Sequence, residues 1–191
     1  FLVMRADLKP RRNDLSIVKG RKIGAAPWVD MGLRRLLVAG GIDLVRDEVQ
    51  IAPVPGASGA TANFGLAAAL ALEKGLIDGF WANGMGTEVA VRAGVGTVVL
   101  DIRRGDGPSG CFDYTMATIA TTDRKIVDDK KSVEAVVRAI VRTQETLRRD
   151  PMKAAEVGAK VFPQSEAGLI ADLIRRDILY YDARIQQGSI Q

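Results

Sequence analysis

Pro27-Trp28-Val29-Asp30, Gly56-Ala57-Ser58-Gly59-Ala60-Thr61 and Phe80-Trp81-Ala82-Asn83 are the stretches whose residue types and spacing can do chemistry. Each follows a short apolar run. A strand that stops at the N-terminus of a helix leaves backbone N–H groups free, and such groups bind anionic and polar molecules. In the first stretch, Trp28 reads as an apolar wall. The N–H groups after Asp30, where Met31 begins a helical period, read as the polar end. The plainer reading makes Asp30 a helix N-cap and leaves Trp28 on the surface. In the second, Ser58, Gly59 and Ala60 offer the small side chains and backbone donors of an anion nest. No Gly-Lys-(Ser/Thr) follows, so this is not a nucleotide P-loop, and the glycines equally serve a simple turn. In the third, alternation sends one aromatic inward and leans the other toward a cleft. Asn83 hydrogen-bonds a ligand or its own turn. Arg103, just past an apolar run, is either a cation for an anionic ligand or a solvated hinge charge.

Catalytic chemistry finds less support. The chain has no histidine and one cysteine, Cys111. That excludes Ser-His and Cys-His triads, histidine metal sites, polycysteine zinc sites and an internal disulfide. Paired acids such as Asp128-Asp129 lack a partner for acid–base work, and Cys111 beside a glycine reads as incidental. No metal or cofactor is expected.

Elements of a particular kind must position these loops. Of 191 residues, 47% are apolar and 26% charged, the balance of a globular protein with a real core. The formal charge of +4 is spread over scattered pairs such as Arg34-Arg35, Arg103-Arg104 and Arg148-Arg149. These read as solvated helix faces rather than a nucleic-acid stripe. Strands are expected at 1–6, 21–25, 49–54, 77–82 and 97–102. Helices are expected at 30–39, from a cap at Thr61 or Asn63 to Lys74, and at 87–93. Four strand–helix alternations with short connections predict βαβ units and a mostly parallel sheet. The stretch from Arg103 to Asp113 reads as a linker or hinge. A strand over Tyr114–Thr121 follows. Then come a long amphipathic helix from a cap at Ser132 to Arg149, a helix begun by Asp150-Pro151, and one over Ser165–Asp177 capped by Ser165.

The order of these features resembles one family. Lys19-Gly20-Arg21-Lys22-Ile23-Gly24 is similar to the entry into the second lobe of periplasmic solute-binding proteins of the nitrate, sulfonate, taurine and thiamine-pyrimidine type. Val49-Gln50-Ile51-Ala52-Pro53-Val54 resembles that family's next strand, and Ala67–Asp78 its alanine-rich helix. Phe80-Trp81 stands where the family often has Trp-Glu-Pro. Asp150-Pro151 followed by Ala154-Ala155 resembles a later helix. The match in order covers most of 15–160. The loop Trp81-Ala82-Asn83-Gly84 departs from it, lacking the carboxylate and proline.

The resemblance implies an α/β fold of the type II periplasmic binding kind. Residues 1–112 would form a complete second lobe, and 113–191 the mostly helical return of a first lobe whose other half precedes Phe1. It implies a small polar or anionic organic ligand held between lobes by Trp28, Asp30, Met31, Ser58, Gly59, Ala60, Trp81, Asn83 and Arg103. It also implies delivery to ABC permease subunits, a periplasmic location and no nucleic-acid partner. The membrane would be met only through the permease. Two other readings stay open: the effector domain of a LysR-type regulator, and an enzyme of thiamine-pyrimidine synthesis, which the lack of histidine disfavours.

Overall fold

The computed structural model describes residues 1–57, 63–113, 119–177 and 180, and the chain divides into two compact units, Phe1–Phe112 and Asp113–Gln191. The first unit holds a sheet of β1 (Leu2–Arg5), β2 (Lys22–Ala25), β3 (Gln50–Ala52), β4 (Gly79–Trp81) and β5 (Gly96–Leu100), in the order β3-β2-β4-β1-β5. It is a mixed α/β fold, as the alternation predicts. Strand β2 pairs in parallel with β3 and with β4, whereas β1 is antiparallel to both β4 and β5. The four strands of the alternation therefore share one direction, and β1 is wedged between the last two of them. Neighbouring residues along the chain do not reveal such an insertion.

Helix α1 (Asp30–Ala39) covers one face and α2 (Phe64–Glu73) with α3 (Gly84–Arg92) the other. Leu33, Leu36 and Leu37 of α1 pack with Leu2, Met4, Ile23 and Trp81. Ala68, Ala69 and Leu72 of α2 and Ala90 of α3 pack with Val3 and Phe80. Alternation along β1 and β4 sends successive side chains to opposite faces, and both faces are dry. This corrects the expectation for the two aromatics: Phe80 is 0% and Trp81 3% exposed, so neither leans outward.

Helix starts show where local chemistry decides. Asn63, rather than Thr61, caps α2, its Oδ1 accepting from the N–H of Gly65 and of Leu66. Helix α3 opens at Gly84, three residues before the expected Thr87, and Gly86 in its first turn lies against Gly65 of α2. The supposed linker contains 3-10 turns at Ile102–Arg104 and Ser109–Asp113, and Cys111 is buried in the α1-side core. Burial pushes the Cys111 thiol above its ordinary value. Native protein at neutral pH is therefore expected to react with a soluble thiol reagent roughly a hundred-fold more slowly than denatured protein, by absorbance assay.

The second unit contains α4 (Asp123–Asp128), α5 (Lys130–Arg149), α6 (Lys153–Val161) and α7 (Gln164–Asp177). The expected strand lies mostly outside the described residues, and residues 119–121 are not strand. Asp129, not Ser132, caps α5, accepting from the Ser132 N–H, and Ser165 lies inside α7 rather than at its cap. Helices α6 and α7 meet through small residues, with Ala154, Ala167 and Ala171 buried. No described residue of α5 is buried, although its apolar positions repeat at helical spacing.

Candidate functional site

The carboxyl ends of β2, β3, β4 and β5 lie along one rim of the sheet. From β2 the chain leaves through α1 toward β3 on one side, and from β4 it leaves through α3 toward β5 on the other. Connections leaving neighbouring strands in opposite directions open a crevice between their carboxyl ends, here between β2 and β4. Ala25 pairs with Trp81 at that end of the ladder, so the loops that follow them are neighbours.

Trp28 lies in the loop after β2. It is 81% exposed and holds φ at 71°, a conformation that bulky residues avoid. Val29 and Met31 beside it are also exposed, so the head of α1 presents an apolar face. Asp30 is the first helical residue, with Val29 at the cap position and making no side-chain cap. The carboxylate of Asp30 accepts from Arg34 Nε at 2.9 Å, and Arg34 donates onward to the Ile51 carbonyl at 3.0 Å. Asp30 is thus neither cap nor open ligand group. It orients an arginine that ties α1 to β3. The missed residue is Arg34, and its spacing of four from Asp30 on a helix was the available signal.

After β4, Ala82 exchanges two bonds with Phe1. The Phe1 amine donates to the Ala82 carbonyl at 3.0 Å, and the Ala82 N–H to the Phe1 carbonyl at 3.1 Å. Asn83 occupies the N-cap of α3 but makes no side-chain cap, and it is exposed. Its carbonyl accepts from the Thr87 hydroxyl at 3.1 Å. Asn63, at the start of α2, directs its Nδ2 to Met85 Sδ at 3.4 Å. After β5, Arg103 is held by the Asp101 carboxylate through two bonds of 3.0 and 2.9 Å, and its guanidinium lies 4.4 Å from the centre of the Phe1 ring. It is partnered within the chain rather than held out for a ligand.

The fold thus brings Trp28, Met31 and Asn83 to one crevice rim, buries Trp81 beneath it, and pairs Asp30 and Arg103 internally. Ser58, Gly59 and Ala60 lie outside the described residues. A separate depression of about 450 Å³ sits at the far end of α1, lined by Val38, Gly41, Ile42, Asp43, Leu44 and Val45. Its carboxylate, on Asp43, already accepts from the N–H groups of Val45 and Arg46. Among the described residues no group of three or more histidines, cysteines or acids is placed to hold a metal ion, and no helix is long and apolar enough to cross a membrane. No family model, curated protein or solved structure matches the chain.

Proposed function

We propose that this chain captures a small polar or anionic organic molecule at the crevice between β2 and β4, as the solute-binding component of an ABC uptake transporter. The observation that carries the reading is Trp28: a large aromatic held in strained backbone and kept in solvent at a strand-end crevice. Folding alone gives no reason to bear that cost, and strain of this kind collects at ligand clamps. The reversed strand β1 adds support, since a strand arriving from outside the βαβ series is what a chain crossing into this lobe from another would supply. In this reading residues 1–112 are one wall of an interlobe cleft, in a fold of the type II periplasmic binding kind. The α-helical residues that follow return toward the other lobe, the permease recognises the loaded closed form, and the location is periplasmic. No reaction is required of the site.

The test is a thermal-shift and native mass-spectrometry screen with sulfonates, nitrogenous anions, pyrimidines and aromatic acids. A ligand at ~100 times its Kd is expected to add ~2.7 kcal/mol. No stabilisation by any of the four classes overturns the reading. Trp28→Gly separates binding from folding. It relieves the positive φ and is expected to raise stability by about 0.5–1 kcal/mol in urea denaturation. It should also weaken ligand binding at least roughly tenfold, read by titration calorimetry. Equal affinity for parent and variant would remove Trp28 from the site.

A further inference from the structure

Residues 101–110 have the composition of a hinge, yet they are fastened at a few points. Asp106 is 5% exposed. Its carboxylate accepts from Arg12 Nε at 2.9 and 3.0 Å and from the Asp101 N–H at 2.8 Å, and Arg12 NH2 lies 2.8 Å from its Oδ1. Asn13 adds two further ties. Its N–H donates to the Val99 carbonyl at 2.9 Å and its Oδ1 accepts from the Gly107 N–H at 2.9 Å. A strap at the Arg12-Asn13 turn thus reaches over edge strand β5 and grips the loop beyond it. Inside the loop, Asp101 is bonded to Arg103 and lies 3.3 Å from Arg104 Nε, so these bonds travel with the loop if it lifts, while the Arg103 guanidinium must leave the Phe1 ring it covers at 4.4 Å. Gly105 and Gly107 hold φ at 82° and 94°, and Cys111 anchors the far end in the core.

We propose that residues 101–110 form a latched flap at the carboxyl rim, and that the Arg12–Asp106 ion pair is its latch. Closed, the pair keeps Asp106 dry and seats Gly107 near Leu100 and Leu36, whose Cδ1 atoms lie 4.0 Å from where its Cβ would stand. Open, Asp106 carries its charge into water with the loop, while Arg12, whose side chain is already 55% exposed, loses little. That asymmetry lets the pair open locally without unfolding the sheet. The flap does not depend on the ligand reading, because it rests on bonds within one unit.

Limited trypsin digestion with peptide mapping tests it. Arg12→Ala is expected to speed cleavage after Arg103 and Arg104 by roughly ten- to a hundred-fold, the range to which loss of a charge-assisted hydrogen bond converts. Cleavage after Lys22, Arg46 and Arg92 should keep the parent rate. Arg12→Lys, which keeps the charge but not the fork, should fall between. Unchanged cleavage at Arg103 and Arg104, or equal acceleration at every site, overturns the latch. Should Arg12→Ala fail to fold, amide exchange in the unaltered protein decides. The Asp101 and Gly107 N–H groups are expected to exchange together and at least roughly tenfold faster than Phe80 in β4. Exchange at the rate of Phe80 overturns the flap.

Discussion

Gly86→Ala is expected to lower the stability of the sheet-bearing unit by about 3 kcal/mol, the upper range for overpacking, even though alanine is the better helix former by roughly 1 kcal/mol. The two effects have opposite signs, so the outcome reports which dominates. A Cβ at Gly86 would stand 2.4 Å from the Gly65 carbonyl oxygen and 2.7 Å from the Gly65 Cα. A Cβ at Gly65 would stand 2.7 Å from Asn83 Oδ1 and 2.8 Å from the Gly86 nitrogen. Most of these atoms are backbone, which no rotamer change can move aside. The helices must separate, and with them the N-termini that α2 and α3 hold at the rim. Gly32→Ala is the matched control. It too lies within a helix, but its Cβ would meet nothing within 4 Å, so propensity alone should act and stability should rise by about 0.5–1 kcal/mol. Urea denaturation followed by the buried Trp81 measures both. A Gly86→Ala protein as stable as its parent would mean that α2 and α3 do not touch through their backbones.

That contact also shows why part of the fold was legible and part was not. Leu33, Leu36 and Leu37 sit at helical spacing between a capping-type acid and a glycine pair, and α1 runs over the expected Asp30–Ala39. Local pattern suffices there, because the helix buries the face its sequence paints. Gly84-Met85-Gly86 reads as loop by the same local rules, yet it is the first turn of α3. Gly86 answers to Gly65 in a helix some twenty residues away, which periodicity cannot see. The direction of β1 is hidden for the same reason, since its partners Gly79–Trp81 and Gly96–Leu100 lie far along the chain. At the candidate site, the strand-to-helix junctions after β2 and β4 were legible, and so was an aromatic side chain at the first of them, Trp28, which the fold leaves exposed. What the charged residues do there was not. Asp30 and Arg103 each look available in sequence, and each is bound to a partner within four residues, Arg34 and Asp101. A charge counted along a sequence says nothing of whether folding has already used it.

In a polypeptide that begins at Phe1 with a free amine, stability is expected to fall by about 3 kcal/mol as pH drops from 8 to 5. The Phe1 amine sits in the β1–β4 ladder against the Ala82 carbonyl. Burial lowers its pKa from 8.0 to about 5; the Asp101 carboxylate pulls it upward and the Arg103 guanidinium pushes it down again. An unfolded chain keeps the ordinary value. Between those two values the unfolded state holds a proton that the folded state does not, so lowering the pH favours unfolding. The contribution is fully present above pH 8, declines through the window, and is lost once the folded amine itself protonates near pH 5. Three pH units at ~1.4 kcal/mol each, less the half-titrated point at each end of the window, set the magnitude. The window is unusually clean, because the chain contains no histidine and its carboxylates ordinarily titrate lower. N-acetylation provides the decisive comparison. It removes the titrating group while leaving an N–H that can still donate to Ala82, so the acetylated chain should be nearly flat from pH 8 to 5.5 in urea midpoint measurements. The same slope in both chains would place the titration elsewhere, and a flat profile in both would mean that the amine is in contact with water. Arg103→Met gives the finer check. With the neighbouring cation gone, the amine keeps its proton to higher pH in the folded state, and the loss of stability across the window should shrink.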